Sequence, residues 1–250
     1  MEWTDEAIVL DCRRHGENAA IVTLLTPTQG RHAGLVHGGM GSKSRGLYQP
    51  GNQVRATWRG RLAEQLGTYT AEMITPHAAL LMDDALRLSG LMAACAVAEG
   101  ALPEREPHVA VYAGLQALLT AMESEAWPAI YVKLELGLLQ ELGFGLDLDS
   151  CAVSGETEGL AFVSPRTGRA VTAAAAAPYK GKLLALPPFL LAGGDLQAAP
   201  KEELLAGLAL SAHFLERHVF WPHNKTLPAS RTRFVDRLAG SATISGNSIA

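Results

Sequence analysis

The sequence predicts an α+β, multi-domain chain: a small five-stranded barrel followed by an α-helical domain. Three observations predict it. Between residues 6 and 74, short runs rich in Val, Ile, Thr, Leu and aromatic side chains alternate with turns carrying Gly, Pro or Asn. After Pro76, apolar residues recur at helical spacing instead. And 250 residues, 48% apolar and 18% charged, suffice for two domains with real cores, which excludes wholesale disorder.

Strands are expected at 6–13, 19–25, 31–36, 53–59 and 68–74. Each is bounded by a turn signal: Gly16 and Asn18, then Thr26-Pro27-Thr28-Gln29-Gly30, then Pro50-Gly51-Asn52, then Gly67. Pro27 presets φ and Gly30 tolerates a positive one. The connection from His37 to Pro50 is long, glycine-rich and basic, and reads as a functional loop. Helices are expected at 78–99, 109–124, 130–142, 182–191 and 201–220, with a short one near 231–238. Pro103, Pro107 and Pro128 stand at the breaks. The domains are accordingly 1–77 and 78–240, with an irregular insertion at 143–180 and a disordered Ser/Gly/Asn-rich tail at 241–250.

The N-terminus is acidic where a secretory signal needs positive charge, and no run reaches the ~20 apolar residues that span a bilayer. A cytoplasmic, membrane-free protein is expected. Three scattered cysteines fit a reducing compartment.

Net charge is −4, but it is unevenly spread. Between 13 and 61 eight basic residues face Glu17 alone; between 83 and 159 thirteen acids face three bases. From 213 to 237 the balance turns positive again, through Arg217, Lys225, Arg231, Arg233 and Arg237. Asymmetry of this size has two readings: a polyanion partner for the N-terminal module, or a solvated basic face.

Catalytic motifs fail one by one. Lys43-Ser44 ends like a phosphate-binding loop, but Ser42 and His37 stand where that loop needs glycines. No G-x-S-x-G, H-E-x-x-H or S-x-x-K occurs. Asp147 and Asp149 fit turn or cap positions better than an acid/base pair. His213, His218 and His223 are five apart, a spacing that does not align on an α-helix. Cys151 lacks a C-x-x-C partner because position 154 is Ser. Neither enzyme nor metal protein is expected.

One ordered set of short motifs remains. Asp5-Glu6-Ala7-Ile8-Val9-Leu10 leads to Arg14-x-Gly16-Glu17, Leu25-Thr26, Gly30-Arg31, Gly38-Gly39 and Gln49-Pro50-Gly51. Further on come Leu134-Glu135-Leu136-x-Leu138-Leu139-x-x-Leu142-Gly143-Phe144 and Leu148-Asp149-x-Cys151. In order and spacing these resemble the RecO family of bacterial DNA repair and recombination mediators, over about residues 5–240. The resemblance implies an N-terminal OB-fold, binding of single- and double-stranded DNA, and strand annealing. It also implies action with RecR to load RecA onto strands covered by SSB, whose acidic C-terminal tail such proteins bind. Many members hold zinc with four cysteines in the central segment. Only Cys151 keeps its place here, so zinc is not carried over, and a degenerate, metal-free zinc-ribbon-like insertion is expected.

On an OB-fold, basic side chains track phosphates while aromatic rings stack on bases. The DNA-binding candidates are Arg31, Lys43, Arg45, Arg55, Arg59 and Arg61, then Arg13 and Arg14, with Tyr48 as a stacking ring. Trp58 fits either stacking or the core. Arg55, Arg59 and Arg61 alternate with Val54 and Trp58, so one outer strand face can hold all three arginines. The C-terminal set Arg217, Lys225, Arg231, Arg233 and Phe234 either extends the DNA surface or receives the SSB tail. Phe214, Phe220 and Trp221 are candidates to line that groove or to pack the core. A plain OB-fold single-strand binder and an acidic helical adaptor without DNA binding are the competing readings.

Overall fold

A computed structural model of the chain describes residues 1–179 and 181–241, with Ser42 and Lys43 by backbone alone. The expected tail from 242 onward lies outside the described residues. Internal packing divides the chain into two compact units, Met1–Leu119 and Thr120–Ala250.

The first unit contains a closed barrel of β1 (Glu2–His15), β2 (Ala19–Thr26), β3 (Gly30–Val36), β4 (Gln53–Arg59) and β5 (Thr68–Thr75), in the order β1-β2-β3-β5-β4. β1 is the long strand that turns the corner. Its first half pairs with β4 (Glu2↔Arg59 through Ile8↔Gln53) and its second with β2 (Ile8↔Leu25 through His15↔Ala19). A bulge between Val9 and Asp11 lets it bend between the two partners. Ala7, Val9, Ala20, Val22, Leu24, Val54, Ala56 and Trp58 fill the interior from alternate positions. Each large side chain so buried stabilises by roughly 1.5–3 kcal/mol before entropy is subtracted.

The connection from His37 to Pro50 is not purely a loop. It contains α1 (Ser42–Leu47), and Leu47 and Tyr48 pack against the barrel core. The expected helix from 78 is broken: α2 (His77–Leu80) is followed by α3 (Ala85–Ala101), which Asp84 caps by accepting from the N–H groups of Leu86 and Arg87. α4 (Val109–Ala121) follows.

α3 lies on the outside of the barrel. Leu91 abuts Gly51, and Ile8, Leu10 and Leu25, which leave the barrel interior to other residues, are 0–2% exposed. A second covering element lies just beyond α3. β3 and β5 meet at one pair, Leu35↔Thr68. Glu104 bridges to Arg31 at the rest of the β3 edge, and the Arg105 N–H donates to the Arg31 carbonyl at 2.8 Å. Gly30 has φ +64, and a Cβ there would stand 1.9 Å from the Glu106 carbonyl oxygen, so only glycine allows this approach.

The second unit contains α5 (Trp127–Glu141), a three-stranded sheet of β6 (Leu160–Val163), β7 (Ala170–Thr172) and β8 (Leu184–Ala185) in the order β7-β6-β8, then α6 (Lys201–Leu215) and α7 (Ala229–Gly240). The helix expected at 182–191 is instead β8 and a 3-10 turn at Pro188–Leu190, because Pro187 and Pro188 remove the N–H groups a helix needs. α6 does not end at Leu215 but passes into a π-helical turn, Glu216–Phe220.

Three helices of this unit are joined by one buried ion pair. Arg231 of α7 donates from Nε and Nη2 to the Glu135 carboxylate of α5 at 2.7 and 2.8 Å. The same guanidinium donates to the Leu208 carbonyl of α6, while Ser211 and Tyr131 hydroxyls donate to Glu135. Every charge here is paired and hydrogen-bonded, the condition under which burial is tolerated.

Candidate nucleic-acid interface

β4 presents Arg55 and Arg59 outward and Val54, Ala56 and Trp58 inward. The neighbouring strands change the meaning of that face. Glu6 of β1 stands opposite Arg55 on one side and Glu72 of β5 on the other; Glu2 stands opposite Arg59. Arg55 pairs with Glu6 at 3.3 Å and Arg59 with Glu2 at 2.9 Å. The hydrogen bond from Arg59, then its charge, holds the Glu2 carboxyl below its usual range. The face is thus a mixed-charge ladder. Arg61 lies past the strand end in the exposed 60–67 connection and does not extend it.

Arg31 is committed elsewhere. Its Nε donates to the Leu102 carbonyl at 2.7 Å, and Glu99 and Glu104 lie at 3.4 and 3.7 Å. Tyr48 is 3% exposed within the barrel core, and burial pushes its hydroxyl up to about 12; it offers no face to a base. Trp58 is likewise core, donating from Nε1 to the Leu66 carbonyl.

The remaining N-terminal arginines gather at the other end of the barrel. The segment after β3 folds back over the β1–β2 turn: the Met40 N–H donates to the Asn18 carbonyl, Gly39 abuts Ala20, and Tyr48 reaches the barrel core beside Leu47 and Cys12. Arg13, Arg14 and Arg45 are exposed at this end. None forms an ion pair with another described residue. Arg14 is aimed by bonds to the Gly16 and Glu17 carbonyls at 3.1 Å each. The Lys43 side chain lies outside the described residues.

Of the C-terminal candidates, Arg231 and Phe234 are structural. Arg231 is 4% exposed in the ion pair with Glu135, and Phe234 is 0% exposed against Trp127 and Tyr131. Phe214 and Phe220 are also core. Arg217, Lys225, Arg233 and Trp221 are exposed, the last at 56%. Phe144 of the family motif stacks on His218 with ring centroids 5.0 Å apart, and nothing in their separation of 74 positions announces that contact.

The central segment is organised about Cys151, which is buried. Its Sγ accepts from the N–H groups of Ser154 at 3.5 Å and Thr172 at 3.3 Å. Hydrogen bonding from Ser154 first, then from the Thr172 N–H, brings the thiol down to about 6. The sulfur thus has N–H donors around it, not a metal's other ligands. Among the described residues no group of three His, Cys, Asp or Glu is placed to hold a metal ion. The residues present do not fit a zinc site.

Comparison with known proteins decides the family. The model of the Recombination protein O N-terminal domain matches residues 1–77, and that of the C-terminal domain matches 82–228. The chain belongs to the RecO family. DNA repair protein RecO of Rhodospirillum centenum is 54% identical over 248 residues, covering 98% of each chain. RecO of Phenylobacterium zucineum is 52% identical, covering 96% of this chain and 98% of its own, and that of Rhodospirillum rubrum 49%, covering 95% and 96%. RecO membership and the five-stranded barrel together bear out the expected α+β fold with an OB-like N-terminal domain. No described helix is long and apolar enough to cross a membrane.

Proposed function

We propose that this chain is a DNA repair and recombination mediator. It binds single- and double-stranded DNA without sequence preference and anneals complementary strands. With RecR it helps load RecA onto single strands covered by SSB, whose acidic tail it also engages. Residues 1–77 are the nucleic-acid module, and the work is done in the cytoplasm at the nucleoid. The near-full-length relationship to RecO proteins carries this reading.

Within that reading, phosphates meet the barrel end bearing Arg13, Arg14 and Arg45, where the charge is not neutralised by described acids. Arg55 and Arg59 contribute less, since each already has a carboxylate partner. Annealing on such a surface needs no nucleotide hydrolysis. Counterion release favours binding of both strands, and base pairing supplies the free energy. No catalytic residue is required.

The test is annealing of complementary oligonucleotides pre-coated with the cognate SSB, without ATP, over a range of salt. Acceleration that fades as salt rises is expected. Binding of bare strands without acceleration would reduce the chain to a plain OB-fold binder, and no salt-dependent binding at all would favour the adaptor reading.

A further inference from the structure

The second unit holds a stack of three rings that the DNA-binding surface proposed above does not use. Phe214 of α6 lies under His218 of the π-helical turn, centroids 6.1 Å apart and planes 7° from parallel. Phe144 lies on His218 at 5.0 Å and 17°. Phe214 is 2% exposed and anchors the stack in the core, whereas Phe144 is 40% exposed.

The exposed ring is held in place by backbone. Gly143, at φ +85, reverses the chain after α5, and the Phe144 N–H donates to the Leu139 carbonyl at 2.8 Å. On the α6 side, the turn between β6 and β7 is tied down at Pro165, whose carbonyl accepts from His213 Nε2 at 3.0 Å and Arg217 Nη1 at 3.5 Å. Arg166 follows directly and is exposed. Neither Arg166 nor Arg217 forms an ion pair with a described residue. The π-helical turn closes with the Trp221 N–H donating to the Glu216 carbonyl, and Trp221 is 56% exposed. Desolvation, then the charge of Arg217, lowers the His218 pKa.

An exposed ring stacked on His218, the residue after Arg217, and a second exposed ring at Trp221, three residues further on, suit a ligand with alternating planar rings and negative charges. We propose that Phe144 and Trp221 are stacking platforms for unpaired bases of single-stranded DNA, with Arg217 and Arg166 on the adjoining phosphates. This rests on the DNA-binding function proposed above and adds to it a preference for unpaired bases. An acidic peptide is the less suited occupant, because the surface is built of ring faces rather than a closed apolar pocket.

The full-length protein is titrated with a labelled oligo-dT and with a duplex of equal length, across a salt series. Phe144→Ala should weaken oligo-dT binding by roughly 5- to 150-fold, the range of one lost base stack, with the salt slope and duplex binding unchanged. Phe144→Trp should restore it and Phe144→Leu should not, which separates a stacking face from an apolar filler. Arg217→Ala should lower the salt slope by about 0.7. Oligo-dT binding unaltered by Phe144→Ala and Trp221→Ala, in a protein that still binds DNA, overturns this inference alone. Loss of binding to an acidic peptide but not to oligo-dT in the same variants overturns it in favour of a peptide site. Absence of DNA binding by the unmodified protein overturns the function on which it rests.

Discussion

Arg55 of β4 lies between Glu6 of β1 and Glu72 of β5, and it pairs with Glu6 at 3.3 Å. Exposed pairs of this kind add little stability. They do remove the positive field that a phosphate would seek. Arg55→Ala and Arg59→Ala are therefore expected to leave DNA affinity and its salt slope nearly unchanged. Arg13→Ala combined with Arg45→Ala should weaken binding severalfold and reduce the slope on single strands by roughly 0.7 for each phosphate left without its arginine. Fluorescence anisotropy over a salt series compares the two pairs, and the opposite ranking returns the interface to the β4 face.

Arg231 provides the control for the C-terminal half. Arg231→Ala strands the Glu135 carboxylate in the core and should destabilise the protein by about 3–5 kcal/mol, measured by urea unfolding. Any loss of partner binding in that variant then reports unfolding. A cost below about 1 kcal/mol would show that the pair does not hold α5, α6 and α7 together.

Protonation of His32 should weaken the fold in mild acid. His32 is 3% exposed, its Nδ1 2.7 Å from the Tyr69 hydroxyl, and desolvation followed by the Arg105 charge lowers its pKa to about 4. The unfolded chain takes up the proton near pH 6.5, so between about 6.5 and 4 it binds more protons than the folded one, and stability falls as pH falls. The full contribution is at most about 3 kcal/mol. Urea midpoints from pH 7 to 5 should drop more steeply for the unmodified protein than for His32→Gln; parallel curves would assign the pH dependence to other groups.

Metal analysis of the purified protein should find no stoichiometric zinc, and one zinc per chain would overturn the hydrogen-bonded description of Cys151. Cys151→Ala leaves the Ser154 and Thr172 N–H groups short of an acceptor and should cost about 1–3 kcal/mol, read by urea unfolding with and without added zinc.

The alternation of Val54, Arg55, Ala56, Thr57, Trp58 and Arg59 states which side chains point into a barrel, and the structure follows it. What it does not state is register. Glu2 and Glu6 sit in a stretch with Trp3 as its one large apolar residue, which is why β1 reads from residue 6; pairing with β4 extends it to Glu2. The same limit applies to Arg31 and Arg231: their charge is visible in the sequence, but Leu102 and Glu135, 71 and 96 positions away, are brought beside them only by the fold. α1 is six residues long, includes Ser42, Ser44 and Gly46 and has no side-chain cap, so local sequence alone points to a loop, and tertiary packing of Leu47 and Tyr48 decides otherwise. Three histidines five apart do not align on an α-helix, whereas Phe214 and His218, four apart, do and stack; the π-helical turn that follows α6 has no sequence signature.

The covering of the barrel by α3 and by the segment through Glu106 sets a condition on synthesis. When residue 77 leaves the ribosome all five strands are present, yet Ile8, Leu10 and Leu25 have nothing over them and the β3 edge is bare. Roughly 30 further residues must emerge, on the order of 1.5–6 s of translation, before both are covered. During that interval the nascent barrel shows an apolar face and an unpaired strand, the features by which chains join one another. Timing of elongation between residues 77 and 106 therefore bears on how much of this protein reaches the folded state.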